Sequence, residues 1–406
     1  MNILYFGTTA FYKKPNPSFH LMHAMISDLL ERGNTVYFIG PMREELEKDV
    51  PDEFKAHPNF HYRLVMRTDK LAKTAFAKRY LYGMKYAWQC RKALKEFMPK
   101  CEVVYLQSSP AMVWNTILAR HYAKGQKLVL NVQDMFPGSS IASGVMTERW
   151  MQQVFYRLQK VAYRKADVIA AISEDMKRKL VEQDVPAEKV AVILNWFDDH
   201  SVHEVAWDEN RFVKKYEMSR EKFYVQYAGT MGYVFDYKMV IEVAKLLADY
   251  EDVEFQMIGM GSQKDAFIQA AEQAALKNIQ FLPLEPQEMV SDVYSACTVC
   301  IIPLKHGIIG NSVPSKAGLL MECKRAIVTS ADRGCYYAEE INSNGLGIAC
   351  ADDSPSDVAE AILKLYHDRE LCRQMGLRGY EYGHVLYSRK ENMRKYIELF
   401  ESLCKQ

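Results

Sequence analysis

The sequence predicts an α/β protein of two doubly wound parallel-sheet domains facing one another across a cleft. Three observations carry this. The 406 residues exceed what one ordinary core holds and suit two domains of roughly 200 residues each. Short, near-continuous apolar runs, the mark of parallel strands covered on both faces, alternate with stretches of helical period. The alternation breaks off near residue 200 and then begins again.

Residues 2–7 read as a strand and 19–32 as a helix, with Leu21, Met25, Leu29 and Leu30 on one side and Gly33-Asn34 ending it. A strand at 35–40 follows. Strands at 103–107, 128–132, 168–173 and 190–194 continue the series, with helices at about 111–123 and 150–165. Asn195-Trp196-Phe197-Asp198 closes it, and a polar stretch runs to about 222. The second series has strands at 224–228, 255–258, 279–282, 299–303 and 326–329, with helices between and an amphipathic helix at 393–403. Domains are expected at 1–205 and 206–385, with 386–406 as a terminal helical segment. Ligands are expected between the carboxyl ends of the two sets of strands.

Composition narrows the function class. With 49% hydrophobic, 12% aromatic and 25% charged residues and no low-complexity segment, large-scale disorder is excluded. No run of about 18 apolar residues predicts a transmembrane helix, and the start, Met1 to Gly7, lacks the pattern of a secretory signal. Nine scattered cysteines argue for reduced thiols and a cytoplasmic setting. Cys297-Thr298-Val299-Cys300 has C-x-x-C spacing but lies in an apolar strand, so it reads as core, not a metal site. His20 and His23, one helical turn apart, read as helix surface or cleft wall, and no metal ligand set is expected. The net charge of +1 hides an uneven distribution. Residues 1–200 hold 29 Lys+Arg against 21 Asp+Glu, and residues 201–406 hold 23 against 30. Residues 67–100 alone hold ten Lys+Arg and two acids, interleaved with Leu71, Phe76, Tyr80, Leu81, Tyr82, Met84, Tyr86 and Trp88. Such a basic, aromatic-rich segment suits contact with an anionic membrane surface. An ordinary solvated helix pair would share the composition. No recognised nucleic-acid module is present, so nucleic acid is not expected as a partner.

The candidate ligand-binding motifs sit at strand ends. Tyr227-Ala228-Gly229-Thr230-Met231-Gly232 follows one strand and precedes a helix from about Tyr237. Its glycines let the backbone approach a ligand and would leave the N–H groups of that helix start open to a phosphate. A tight turn without a ligand would use the same residues. Ile258-Gly259-Met260-Gly261 repeats the arrangement, and the absence of a full G-x-G-x-x-G argues against a nicotinamide or flavin. The stretch from Ile301-Ile302-Pro303-Leu304-Lys305-His306-Gly307 to Ser312-Val313-Pro314-Ser315-Lys316 adds two lysines beside a helix start, a setting suited to a diphosphate. Solvated surface lysines are the alternative. Gln133-Asp134-Met135-Phe136-Pro137 ends an apolar strand and would aim Asp134 into the cleft as a catalytic or acceptor-positioning carboxylate, or as a loop cap.

These segments, with Ser143-Gly144-Val145, Ala166-Asp167-Val168-Ile169, Ser173, Ile193-Leu194-Asn195, Asp198 and Gly345-Leu346-Gly347-Ile348, occur in an order and spacing that resembles the retaining nucleotide-sugar glycosyltransferases of family 4, which have the GT-B fold of two Rossmann-like domains. The resemblance covers nearly the whole chain. Within the family it is nearest to the bacterial surface-polysaccharide branch, including N-acetyl-L-fucosamine transferases, which have similar Asp-aromatic-Pro and Pro-Ser-Lys segments. Departures accompany it. Gln133 stands where many members have His. The Arg and Lys of the loop holding Thr230 and Phe235 are absent. The paired glutamates fall on Asn311 and Leu319. Asn16-Pro17-Ser18-Phe19 replaces a Gly-Gly loop.

The resemblance implies metal-independent transfer of a sugar, with retention, from a nucleotide sugar (UDP-linked by expectation) to a hydroxyl. The expected acceptor is a saccharide or a polyprenyl-diphosphate-linked saccharide at the inner face of the cell membrane. It needs no cofactor beyond the donor. Gly229, Thr230 and Gly232 would contact the phosphates, and Lys305, Ser315 and Lys316 would neutralise the leaving diphosphate. Gly259, Pro283 and Leu284 would line the base pocket. Asn311 belongs to the donor side by its motif position. Asp134 would lie near the reacting sugar or acceptor hydroxyl, and Asn16, Pro17 and Ser18 would border the acceptor. Catalysis is thus assigned to Asp134 and Lys316. The final helix would cross back onto the first domain, as in that fold. A nucleotide-sugar epimerase of the same architecture and an inactive membrane-bound scaffold are the alternatives.

Overall fold

The computed structural model describes residues 1–11, 17–42, 50–67, 76–108, 112–197, 202–314 and 316–405. Among these residues, thirteen strands form two parallel sheets. The first contains β1 (Asn2–Phe6), β2 (Thr35–Met42), β3 (Phe60–Met66), β4 (Val103–Gln107), β5 (Lys127–Val132), β6 (Val168–Ala171) and β7 (Val190–Val192), in the order β3-β2-β1-β4-β5-β6-β7. The second contains β8 (Phe223–Thr230), β9 (Val253–Met260), β10 (Ile279–Leu282), β11 (Val299–Pro303), β12 (Ala326–Ala331) and β13 (Gly347–Ala351), in the order β10-β9-β8-β11-β12-β13. This is the doubly wound pair of sheets expected, with helices on both faces of each.

Burial explains the strand signals. In β1, Leu4 and Phe6 enter one core while Ile3 and Tyr5 enter the core on the opposite face. In the second sheet, Phe223, Val225, Phe255 and Val299 fill one side, and Ala228, Ile258, Cys300 and Ile302 fill the other. Two strands escaped the sequence reading, β3 and β13. Both are edge strands with a single buried residue each, so they lack the continuous apolar run that marks interior parallel strands. Strand β7 ends at Val192, two residues short of the expected end.

The last helix spans Arg389–Cys404 and begins four residues earlier than its apolar period suggests. Ser388 accepts the Glu391 N–H, placing the start at a Ser-x-x-Glu capping sequence. Its Met393, Tyr396 and Phe400 share a core with Ile3, Tyr5 and Tyr105 of the first sheet. The Tyr396 hydroxyl accepts from Asn131 at 2.9 Å, and Arg389 pairs with Asp28 at 2.7 Å. The second sheet is thereby followed by a helix packed on the first. Among the described residues, no helix is long and apolar enough to cross a membrane.

Candidate functional site

Strands β8 and β9 pair along their whole length, and Gly229 lies opposite Gly259 at their carboxyl ends. Both have positive φ, 140° and 135°. A β-carbon on Gly259 would stand 2.0 Å from the Gly229 carbonyl oxygen, so the two strand ends converge only because neither residue has a side chain. A β-carbon on Gly229 would instead meet Lys316, at 2.5 Å from Cε and 2.6 Å from Nζ.

Lys316 opens the Lys316–Glu322 helix and turns inward. Its Nζ lies 3.4 Å from the centroid of the Tyr227 ring, is buried, and has no hydrogen-bond partner among the described residues. Burial lowers its pKa from the ordinary lysine range to about 7. The Tyr227 hydroxyl donates to the Thr230 carbonyl at 2.7 Å, tying the strand end to the loop. Thr230 is exposed and Gly232 half-exposed.

The helix after this loop, Tyr237–Leu246, corrects one expectation. Two N–H groups of its first turn, those of Lys238 and Met239, donate to the Asp236 carboxylate at 3.0 and 3.2 Å. They are not open to a phosphate. An aspartate one residue before a helix is a readable cap signal. The next strand ends are held by Lys264, whose Nζ donates to the Gly259 and Leu282 carbonyls at 2.7 and 3.2 Å. Above them, Met260 (61% exposed) and Leu284 (52%) present apolar surface, with exposed Pro283 between β10 and Leu284. Glu285 beyond is buried and occupied by Lys215 and Tyr216.

The 304–314 loop is shared between the two halves. The Lys305 N–H donates to the Val234 carbonyl, and the Lys305 side chain is half-buried. Asp332 accepts the Gly307 and Ile309 N–H groups, and His306 bridges Asp332 and Asp352 at 3.0 and 2.8 Å. These three side chains bring metal-ligating atom types within 4.8 Å of one another, with Asp332 already engaged by the loop backbone. Asn311 is buried. Its side-chain amide donates to the Gly307 carbonyl at 2.7 Å, and its own carbonyl accepts the Met135 N–H at 2.8 Å. Asn311 therefore sits in the seam between the two halves.

On the first half, Asp134 is exposed between two fixed neighbours. Gln133 donates to Asn131 and Asn195 at 2.8 and 3.1 Å, and Met135 docks on Asn311. Gln107, Asn131, Gln133 and Asn195 line a small pocket with Trp196 and Tyr396. Sequence reasoning named Gln133 and Asn195 of these amides but assigned neither to a pocket. Of the acceptor candidates, Asn16 lies outside the described residues, and Pro17 and Ser18 begin the Pro17–Glu31 helix. Ser315 and Asp198 also lie outside the described residues.

Further along the seam is a cavity of about 180 Å³. There Asp175, from the start of the Glu174–Glu182 helix, accepts the Tyr336 and Tyr337 N–H groups at 2.8 and 2.9 Å. Glu340 beneath them is held by the Tyr382 hydroxyl at 2.6 Å, and burial raises its pKa. Neither acid stood out in the sequence, because each partner set comes from a distant segment.

Of the basic segment, residues 68–75 lie outside the described residues. The remainder forms helices at Phe76–Gln89 and Arg91–Phe97. Tyr80 and Tyr86 are buried, while Leu81 (61%), Tyr82, Met84 and Trp88 (60%) are exposed. Trp150 and Val154 on the Arg149–Lys165 helix are exposed as well. Cys297 and Cys300 are free and buried, as core residues.

Comparison with known proteins adds three kinds of likeness. Residues 20–201 match the family Glycosyltransferase Family 4, and residues 208–382 match Glycosyl transferases group 1. The chain is 25% identical over 262 residues to the probable glycosyltransferase WbjE of Pseudomonas aeruginosa, covering 64% of this chain and 65% of that one. It is 25% identical over 211 residues to the putative colanic acid biosynthesis glycosyl transferase WcaI of Escherichia coli, covering 51% and 52%. The chain thus spans about half to two thirds of the length of these relatives. The solved structure of Anabaena Alr3699/HepE in complex with UDP-glucose superposes with a TM-score of 0.70 at 13% identity, covering 99% of this chain and 100% of that one.

Proposed function

Since the chain belongs to the glycosyltransferases, with a family 4 half followed by a group 1 half on the GT-B fold, we propose that it transfers a sugar from a nucleotide sugar to a hydroxyl of a saccharide or lipid-linked acceptor in surface polysaccharide synthesis. The observation that carries the donor side is Lys316. Its buried amine has no counter-charge among the described residues and lies against Gly229, where the backbone is bare of side chains. A diphosphate laid over Gly229, Thr230 and Gly232 would supply that charge. Met260 and Leu284 offer an apolar flank at the neighbouring strand ends for a base. A UDP-linked donor is the form favoured, in line with the UDP-glucose held by HepE.

The chemistry follows from charge. Breaking the glycosidic bond to the diphosphate leaves an oxocarbenium-like sugar and a growing negative charge on the leaving phosphate. A fixed donor aimed at that charge lowers the barrier by about 3 kcal/mol. Protonated Lys316, with Lys305 and Ser315, takes this role, and Asp134 orients or deprotonates the acceptor hydroxyl. Transfer proceeds with retention and without a metal. The Met135–Asn311 and Asp175–Tyr336 contacts hold the halves together, which excludes water from the activated donor. The exposed Leu81, Met84 and Trp88, flanked by Lys78, Lys85 and Lys92, would rest on the anionic inner face of the cell membrane and bring the acceptor within reach.

A screen of UDP, GDP and TDP sugars with a polyprenyl-diphosphate-linked saccharide tests the reading. Acceptor-dependent transfer supports it. Donor isomerisation without an acceptor would favour an epimerase, and no turnover with any donor would favour a scaffold.

A further inference from the structure

Among the described residues, the groups recorded against the Lys316 amine are uncharged. Tyr227 of β8 faces it through its ring, and Cys300 of β11 is the titratable group that acts on it electrostatically. Tyr294 and Tyr337 stand around the same cysteine. Burial pushes all four groups upward, Cys300 to about 12, so each is neutral near pH 8. Among the described residues, no carboxylate pairs with Lys316, and its Nζ has no hydrogen-bond partner. Above neutral pH, keeping an unpaired ammonium there costs more than releasing its proton.

We infer that donor binding is coupled to proton uptake at Lys316: above neutral pH the protein without nucleotide carries a mostly neutral amine there, and a nucleoside diphosphate bound at the Gly229–Gly259 convergence draws a proton onto Nζ. This rests on the donor reading above. The step balances simply. A buffer acid or hydronium gives up the proton, the nitrogen lone pair forms the new N–H bond, and the ammonium then faces the diphosphate anion. No covalent bond to the ligand forms.

The coupling has a direction. With a free pKa of about 7 that rises in the complex, little proton is taken up at pH 6 and about one at pH 8. Above pH 7 the dissociation constant should climb by up to about tenfold per pH unit until the pH reaches the pKa of the complex. The site would thus respond to pH in the physiological range with a lysine.

Isothermal titration calorimetry in buffers of differing ionisation enthalpy measures the proton count directly. UDP-glucose, GDP-mannose and TDP-glucose serve as probes, because their diphosphates stay doubly charged throughout this range. The expected result is an uptake near one proton per nucleotide sugar at pH 8 and near zero at pH 6. Lys316→Met should bind more weakly with no uptake at either pH, and Lys316→Arg, whose guanidinium keeps its proton, should bind without uptake. Wild-type binding with no uptake at pH 8 overturns the coupling and leaves the donor reading standing. Equal uptake in Lys316→Met overturns the assignment to this residue. Binding of none of the three probes overturns the donor reading and this inference with it.

Discussion

Lys316 occupies the space that a side chain at Gly229 would need, its Nζ 2.6 Å from where that β-carbon would stand. Gly229→Ala therefore does two things at once. It forces an L-residue into φ +140° and pushes the lysine off the Tyr227 ring. The backbone cost alone is about 1–3 kcal/mol. We expect a lower unfolding midpoint in urea together with at least a tenfold loss of nucleotide-sugar affinity. Unchanged affinity in a folded variant would show that the lysine and the donor do not share this corner.

Lys316→Met should act oppositely on stability. The folded pKa of about 7 lies below the ordinary lysine value of 10.5, so between these pH values the unfolded chain holds a proton that the folded one has lost. Stability contributed through this group rises with pH across that window, by up to about 1.4 kcal/mol per unit, and the burial penalty is fully present below pH 7. The methionine variant escapes the penalty. It should be more stable than wild type at pH 7, with the gap narrowing by pH 9. Urea unfolding of both proteins at the two pH values measures this, and a gap independent of pH would contradict it.

The legible parts of the molecule are those whose cause is local. Interior strands such as β5 and β11 announce themselves because both faces are buried, and the glycines at 229 and 259 because a strand end cannot otherwise come so close to its neighbour. Edge strands β3 and β13 do not, since solvent on one side breaks the apolar run. The site divides in the same way. The place of Lys316 at a helix start was readable, but its burial on Tyr227 depends on a residue 89 positions away. Asn311 was placed with the donor by motif position, whereas its carbonyl serves Met135 across the seam. Asp236 shows a cap signal that the glycine loop beside it drew attention from.

Asp175 joins the halves without touching the donor corner. Its carboxylate is buried, accepts the first two N–H groups of the Tyr336–Ser343 helix, and pairs with Arg178 at 2.9 Å. Asp175→Ala leaves two helix-end donors and one guanidinium without that acceptor, a loss of about 1–3 kcal/mol. The expected result is a destabilised protein with a larger radius of gyration in small-angle X-ray scattering, as the halves part more often. Asp175→Asn keeps one acceptor and should fall between. An unchanged radius in both variants would mean that the other seam contacts suffice.

The exposed apolar face of the Phe76–Gln89 helix can be tested separately from the chemistry. Leu81 and Trp88 lie seven residues apart, about two helical turns, and both are more than half exposed. Arg91 stacks on the Trp88 ring at 3.5 Å, so cation and apolar surface are already joined there. Leu81→Glu with Trp88→Glu should leave the unfolding midpoint within about 0.5 kcal/mol of wild type, as exposed substitutions do. Affinity for vesicles rich in phosphatidylglycerol should fall at least tenfold, because each change removes buried apolar area and adds repulsion from the lipid charge. Wild-type binding should itself weaken between low and high salt, since the lysines around this face act through a screened field. Binding that ignores both salt and the double substitution would assign the contact to another surface.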